Sequence, residues 1–149
     1  MKNRNNVDQL HPEVDMSKAI RLKTEQIGDN KIEVYVEKSN ILESKENTIE
    51  YDFGFLVNGE YYRGNENFTI SDLYKVYNTV YGSFIEFIDN IVLTSNLNVN
   101  IIIEACAADE EEGTAKNILY KRIIKKMTKK YGCVYSKHQH RMYVLSFTK

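Results

Sequence analysis

One apolar stretch decides the fold of this chain: Ile101-Ile102-Ile103-Glu104-Ala105-Cys106-Ala107. A nearly continuous apolar run of this length is typical of a central strand covered on both faces. The acidic run Asp109-Glu110-Glu111-Glu112 follows it, and a strongly basic segment comes next. The region from Val99 to Lys149 therefore predicts a strand, an acidic turn, a helix and a closing strand.

The helix of this region is predicted over residues 114–131, because apolar residues recur there at helical spacing. The face predicted to be buried carries Leu119, Tyr120, Ile123, Ile124, Met127 and Tyr131. The opposite face is a candidate interaction face with five cations: Lys121, Arg122, Lys125, Lys126 and Lys129. Gly132 suits the position after the helix end, and the acidic run complements the positive end of the helix dipole.

Two β-hairpins are predicted in the first half of the chain. One turns at Gly28-Asp29-Asn30, between two segments in which apolar and charged residues alternate. The other turns at Asn58-Gly59, which supplies the two positive-φ residues of a type I′ turn. A two-residue loop at that point places Val57 opposite Glu60.

A second helix is predicted over residues 71–92, with Ser71 as its N-cap and Asp72 in its first turn. Its apolar stripe covers about half of the circumference, which suits a helix laid across a sheet. The core predicted from both helices and the strands contains Phe53, Phe55, Leu73, Tyr77, Val80, Phe84, Ile88, Ile101, Ile103, Leu119, Ile123, Met127, Val144 and Leu145.

These elements predict an α+β fold with a mostly antiparallel, twisted sheet of five to seven strands. The sheet is built from two hairpins plus two helix–strand units, and two helices pack on it. The 149 residues fit one domain, which we expect over residues 17–149. Residues 1–16 are expected to form a flexible N-terminal arm. Its candidate contacts with another subunit or partner are Leu10 and Val14.

Composition narrows the functional classes. The formal net charge is −1, so no overall field draws the protein to nucleic acid or to anionic lipid. No run of about 18 apolar residues is present, and no apolar segment follows the polar N-terminus. We therefore expect a cytoplasmic protein with no membrane partner. Cys106 and Cys133 are expected to be reduced and buried.

Motifs for catalysis or cofactor binding are not found in the sequence. There is no Gly-x-Ser-x-Gly elbow and no glycine-rich phosphate loop. Asp109 to Glu112 are consecutive, so their side chains splay apart rather than converge on a cation. His138 and His140 share one face of a strand but lack a clear third metal ligand. We therefore predict no catalytic residue, no metal site, no cofactor and no small-molecule substrate.

The order of elements in the second half of the chain resembles a recurrent design among small bacteriophage proteins. A helix is followed by Asn98-Val99-Asn100-Ile101, an acidic loop, Lys116-Asn117-Ile118-Leu119-Tyr120-Lys121-Arg122 and a closing strand. In that design a basic residue stands three positions before Leu-Tyr, and Lys116 takes this place. The resemblance covers residues 48–147 and implies a viral accessory or virion protein. The strand–helix–strand order is also similar to the acetyltransferase fold, although the glycine-containing loop that holds the acetyl-CoA pyrophosphate is absent.

Three functions follow as hypotheses. The first is a non-enzymatic protein-interaction or assembly protein, either a bacteriophage virion protein or an accessory protein in the host cytoplasm. It rests on the missing catalytic motifs and on six tyrosines expected to supply interaction surface: Tyr35, Tyr61, Tyr62, Tyr74, Tyr81 and Tyr143. The alternative is nucleic-acid binding by the basic face of helix 114–131. A second alternative is a degenerate acyltransferase-like enzyme.

Overall fold

The structure is a computed structural model that describes residues 19–39, 46–62, 68–104, 115–138 and 142–149. Within these residues the helices are α1 (Ile70–Phe87), which a π-helical turn continues (Ile88–Val92), and α2 (Ala115–Tyr131). The strands are β1 (Ala19–Ile27), β2 (Asn30–Lys38), β3 (Thr48–Val57), β4 (Glu60–Tyr61), β5 (Asn98–Glu104), β6 (Val134–His138) and β7 (Met142–Phe147).

The seven strands form one open sheet with the order β1-β2-β3-β5-β7-β6, and the short β4 pairs with β3. Every described strand pair is antiparallel except β3 with β5. The predicted α+β class with a mostly antiparallel sheet and two helices packed on it is therefore confirmed.

Two parallel crossovers explain why both helices lie on one face. β3, β5 and β6 run in the same direction, because β3 pairs parallel with β5 while β5 and β6 both pair antiparallel with β7. α1 connects the β3–β4 hairpin to β5, and α2 connects β5 to β6. Such crossovers are almost always right-handed, so two that advance in the same direction place their helices on the same face.

Both hairpins form as predicted. Val57 pairs with Glu60, and the turn residues Asn58 and Gly59 have φ values of 54° and 81°. The first hairpin closes one pair earlier than the sequence suggested, because Asn30 already pairs with Ile27. Both turns are therefore two residues long, which fixes the register of the flanking strands.

The side chain of Asn58 ties the two hairpin turns together. Its Oδ1 accepts a hydrogen bond of 2.9 Å from the backbone N–H of Lys31, and its Nδ2 donates one of 2.8 Å to Oδ1 of Asn30. The backbone N–H of Asn58 also donates to the carbonyl of Lys31 at 2.8 Å. Asn58 thus supplies a positive φ to its own turn and hydrogen bonds to the neighbouring turn.

The start of α1 differs from the prediction. Thr69, not Ser71, is the N-cap, and its Oγ1 accepts a hydrogen bond of 3.0 Å from the backbone N–H of Asp72. Ser71 lies in the first turn, because the helix begins at Ile70. Both residues are of a capping type, so composition alone does not decide between them. The end of α2 is as predicted, since Gly132 has a φ of 66° and its N–H donates to Thr128 O.

The main core lies between the helices and the helix-facing side of the sheet. Phe53 of β3 stacks on Phe84 of α1 with ring centroids 4.1 Å apart. Twelve of the fourteen predicted core residues are buried. Leu73 and Tyr77 are the exceptions, because both are only half-buried: Tyr77 packs against the edge of the core, and the assignment of Leu73 to the core was wrong.

The opposite side of the sheet is also buried at several positions: Tyr35, Leu56, Ile102 and Val144. On this side the Cα of Gly54 lies beneath the Tyr35 ring, and a Cβ at residue 54 would stand 2.7 Å from the Tyr35 hydroxyl oxygen. The buried carboxylate of Glu33 lies 3.1 Å from Nε of Arg21 on β1, which compensates its charge.

Several sequence-based predictions fall outside the described residues. These are the arm over residues 1–16 with Leu10 and Val14, the acidic run Asp109 to Glu112, and also Cys106 and His140. Within the described ranges, no helix is both long enough and apolar enough to cross a membrane.

Candidate interaction groove

The two helices lie side by side and run in the same direction. Near their N-terminal ends, Ile70 of α1 and Ile118 of α2 line the same cavity. Near their C-terminal ends, the hydroxyl of Tyr131 on α2 donates a hydrogen bond of 2.8 Å to the carboxylate of Asp89. These contacts bracket a groove between the helices, which we call the α1–α2 groove.

The N-terminal part of this groove, its apolar half, is a cavity of about 330 Å³. Three apolar side chains at its border are unusually accessible: Ile70 is 77% exposed, Tyr74 is 60% exposed and Ile118 is 50% exposed. The cavity is lined by Tyr62, Ile70, Leu73, Tyr74, Tyr77, Ile118, Leu119 and Arg122. Leu73 and Tyr77 line this cavity, and Tyr77 also packs against the edge of the core.

The basic half of the groove is a second cavity of about 500 Å³ further along the helices. It is lined by Tyr74, Tyr77, Asn78, Arg122, Lys125, Lys126 and Lys129. Tyr74, Tyr77 and Arg122 line both cavities, so the two halves are continuous. Among the described residues, four cations and no carboxylate line the basic half, which makes its local potential positive although the net charge of the chain is −1.

An aromatic pair on α1 holds one of these cations. The Nζ of Lys126 lies 5.1 Å from the ring centroid of Tyr77 and 5.0 Å from that of Tyr81, which is cation–π distance. The two rings are stacked, with centroids 5.8 Å apart and planes 5° from parallel. Lys126 is therefore positioned by contacts that leave its N–H donors available for an anion.

The hydroxyl of Tyr77 is buried and has no hydrogen-bond partner among the described residues. A buried polar group without a partner costs free energy, roughly 1–3 kcal/mol, unless water or a ligand satisfies it. Tyr77 itself lines both halves of the groove, so this buried hydroxyl belongs to a residue at the junction of the apolar surface and the cations.

Four of the five cations that the sequence singled out line the groove. The exception is Lys121, which is exposed but does not line either cavity. The helical wheel explains the difference: measured from Ile118, Arg122 and Lys126 lie about 40° and 80° around the axis, on the side where Lys126 contacts α1, whereas Lys121 lies about 60° in the opposite direction. Lys121 is rotated by about 100° from Arg122 around the helix axis.

The tyrosine prediction needs correction. Tyr35, Tyr62 and Tyr143 are buried, so none of them supplies the exposed surface expected of it, although Tyr62 lines the apolar half of the groove. Tyr61 and Tyr81 are half-buried, and Tyr74 alone of the six is largely exposed. Sequence analysis also missed the two exposed isoleucines of the groove. The position of Ile118, one turn before Arg122 on the cationic stripe, was a signal that could have identified it.

The described residues offer no competing site for metal or thiol chemistry. No three His, Cys, Asp or Glu side chains among them converge in a way that could hold a metal ion. His138 belongs to β6, but its side chain lies outside the described part of the chain. Cys133 is a half-buried free thiol, and burial raises its pKa, which disfavours the nucleophilic thiolate.

Comparison of the chain with protein-family models, with curated proteins and with solved structures gives no match.

Proposed function

We propose that this protein acts by binding a partner protein rather than by catalysis, and that the α1–α2 groove is its binding surface. The observation that carries the proposal is the convergence of exposed apolar side chains from two helices on one concave surface. Ile70 and Tyr74 border it from α1, and Ile118 borders it from α2. Single exposed apolar residues are ordinary on protein surfaces, whereas a cluster of them around a cavity is typical of binding sites.

The shape of the surface favours a segment of a partner over a flat interface. Two parallel helices with a cavity between them resemble the grooves into which proteins dock an amphipathic helix or an extended peptide. Tyrosine and arginine, both present here as Tyr74 and Arg122, are the residue types that contribute most to binding energy at protein interfaces.

Peptide display against the whole protein tests this proposal and does not require the partner to be identified first. Peptides are selected on the natural chain alone and are then tested for binding to Ile118→Glu, which places a carboxylate in the apolar half. We expect peptides that bind the natural chain and Lys121→Glu but not Ile118→Glu. Lys121→Glu is the matched control, because residue 121 is exposed on the same helix outside the groove. Peptides that bind all three proteins equally, or no peptides, would sink the proposal.

The resemblance of residues 48–147 to small bacteriophage proteins supports a more specific setting. In that setting the protein is an accessory protein in the host cytoplasm or a component of the virion, where assembly depends on contacts between protein subunits. Light scattering over a concentration series tests whether the partner is a second copy of this chain. The genes beside this one test the setting, since capsid or tail genes there would support it and metabolic genes would oppose it.

A degenerate acyltransferase-like enzyme is the second candidate, and one observation favours it. β3 and β5 are the one parallel pair among the described strands, and their ladder ends at Asp52 and Ile102 although both strands continue. β3 does not pair again on this side until Leu56, which pairs with β4. An extended chain with amide groups, such as the arm of an acyl-coenzyme A, can hydrogen-bond to a strand edge of this kind.

The acidic run Asp109 to Glu112 counts against this candidate, because four carboxylates after β5 would repel the phosphates of the cofactor. A thermal-shift series with acetyl-CoA decides the question. Pantetheine and adenosine 3′,5′-diphosphate serve as controls for the arm and for the phosphates. A rise in Tm with acetyl-CoA and with pantetheine supports the candidate, and no rise with any of the three removes it.

A further inference from the structure

Resting on the proposed function, we infer that the basic half of the groove binds carboxylates, so that the partner segment is acidic as well as amphipathic. Its apolar side chains enter between Ile70 and Ile118. Its carboxylates lie one or two helical turns further along, beside Arg122 and Lys126. The acidic character of the partner segment is inferred from charge and hydrogen bonding in the basic half, not from the apolar surface.

Charge complementarity is the first reason. Arg122, Lys125, Lys126 and Lys129 line the basic half, and none of the described residues that line it is acidic. A segment without negative charge would remove water from these cations without forming ion pairs with them, which costs free energy. A segment with carboxylates replaces that water with ion pairs. The groove therefore discriminates by charge even though its apolar half accepts many side chains.

The buried hydroxyl of Tyr77 is the second reason. It has no hydrogen-bond partner among the described residues, and Tyr77 is one of the residues that line both halves of the groove. When the Tyr77 side chain rotates towards the groove, this hydroxyl donates a hydrogen bond to a carboxylate that Arg122 and Lys126 also hold. Hydrogen bonds to a charged acceptor are stronger than those between neutral groups. Tyr77 is thus a positioning residue for the first carboxylate after the apolar anchors.

The repeat of the cations along α2 sets the spacing expected in the partner. From Ile118 to Lys129 the stripe advances by eleven residues, or about 16 Å along the helix axis. A partner helix lying along the groove meets this stripe with residues three or four apart. The expected segment therefore has leucine-like anchors over its first turns and glutamate or aspartate at helical spacing over the following turns.

Nucleic acid fits the groove less well. Phosphates could reach the four lysine and arginine side chains, and bases could stack on Tyr74. However, the surface beside the cations is aliphatic, and it is formed by Ile70, Leu73 and Ile118. A nucleic acid would bind the cations and leave this aliphatic surface uncovered. An acidic amphipathic peptide uses both halves. Nucleic-acid binding is therefore treated as an outcome of the test below.

The test uses three labelled helical peptides that share the same leucine anchors. One carries glutamates at the positions that follow the anchors, and the other two carry glutamine or lysine there. Fluorescence anisotropy with the whole protein gives each Kd. We expect the glutamate peptide to bind about tenfold more tightly than the glutamine peptide, and the lysine peptide to bind least. Added salt should weaken binding of the glutamate peptide and change that of the glutamine peptide little.

Three variants assign the preference to the basic half. Lys126→Gln and Tyr77→Phe should each reduce the preference for glutamate over glutamine, while Lys121→Gln should keep it. Circular dichroism confirms that each variant is folded. Equal binding of the glutamate and glutamine peptides, abolished in both cases by Ile118→Glu, would overturn the inference and leave the proposed function standing.

Two further outcomes would count against both proposals. If none of the three peptides binds, neither the groove as a protein-binding site nor its acidic preference is supported. If oligothymidylate binds instead, with an affinity that falls steeply with salt and is lost in Lys126→Gln, the ligand is nucleic acid.

Discussion

The hydroxyl of Tyr131 donates a hydrogen bond of 2.8 Å to the carboxylate of Asp89, and this bond joins the C-terminal ends of the two helices that border the groove. Asp89 lies in the π-helical turn that follows α1, and Tyr131 is the last residue of α2. Burial, the hydrogen bond and the negative charge of Asp89 all raise the pKa of the Tyr131 hydroxyl far above its ordinary value. This bond therefore links the two helices at the end of the groove opposite its apolar half.

Replacing Tyr131 with phenylalanine should lower the free energy of unfolding at pH 7 by about 1 kcal/mol, because a hydrogen bond to a charged group at a partly exposed site is lost. The raised pKa also predicts a pH dependence. The stabilisation is complete below pH 10, the ordinary tyrosine pKa, and is lost as the pH rises towards the folded-state value. Urea unfolding between pH 8 and 11 should therefore show the natural chain losing its advantage over the variant above pH 10. Tyr74→Phe is the control, and parallel curves for Tyr131→Phe and the natural chain would contradict the assignment.

Two glycines should respond to alanine in opposite directions. At Gly54 the new Cβ would lie 2.7 Å from the Tyr35 hydroxyl oxygen, so we expect destabilisation of about 1–3 kcal/mol. At Gly82, on the exposed face of α1, a Cβ meets no atom within 4 Å, and the higher helix propensity of alanine should stabilise the protein by about 0.5–1 kcal/mol. Thermal unfolding measures both. The Gly54→Ala cost should shrink in the Tyr35→Phe background, and an unchanged cost would show that the close approach to the hydroxyl is not its cause.

The identity of the α1 N-cap gives a paired test of the structure against the sequence. Thr69→Ala removes the acceptor of the Asp72 N–H, so it should cost about 1 kcal/mol of stability. Ser71→Ala, two residues later in the first turn, should change stability by less than about 0.5 kcal/mol. Chemical denaturation of the two variants separates the alternatives, since the reverse order would restore Ser71 as the cap.

The link between the two hairpin turns can be divided into a backbone part and a side-chain part. Asn58→Gly keeps the positive φ but loses the bonds to Lys31 and Asn30, so we expect a loss of about 1 kcal/mol. Asn58→Ala loses the same bonds and adds the cost of a left-handed conformation, about 1 kcal/mol more. Equal stability of the glycine variant and the natural chain would show that the side-chain bonds contribute nothing.

Local patterns predicted the elements of this fold, and non-local packing decided what the patterns left open. The alternation before Asn58-Gly59 fixed the second hairpin, and helical spacing fixed both helices and the buried face of α2. The sequence did not indicate that β3 and β5 would be parallel neighbours, because that pairing joins segments far apart in the chain. For a related reason it placed Leu73 in the core and Tyr77 deeper in the core than it lies.

Apolar spacing shows which side of α1 faces inward, but it does not show how far away α2 lies. The distance between the helices leaves Leu73 and Tyr77 lining the groove. The candidate cations were readable from the sequence as one face of α2. The sequence did not show that four of them line the groove and that Lys121 lies outside it, because this depends on how α2 is oriented against α1.

The order of the strands also has a consequence for how the molecule forms. β1, β2 and β3 are consecutive hairpin partners, so they can pair as soon as they have been synthesised. β5 pairs with β3 through Thr48 and Asn98, which are fifty residues apart, and the entropy of closing that loop delays the step. α1 packs on the early half of the sheet and α2 completes the late half. Because the groove needs one wall from each helix, it forms only after α2 has been synthesised and has docked beside α1, and a partner that recognises it selects molecules that have passed this stage.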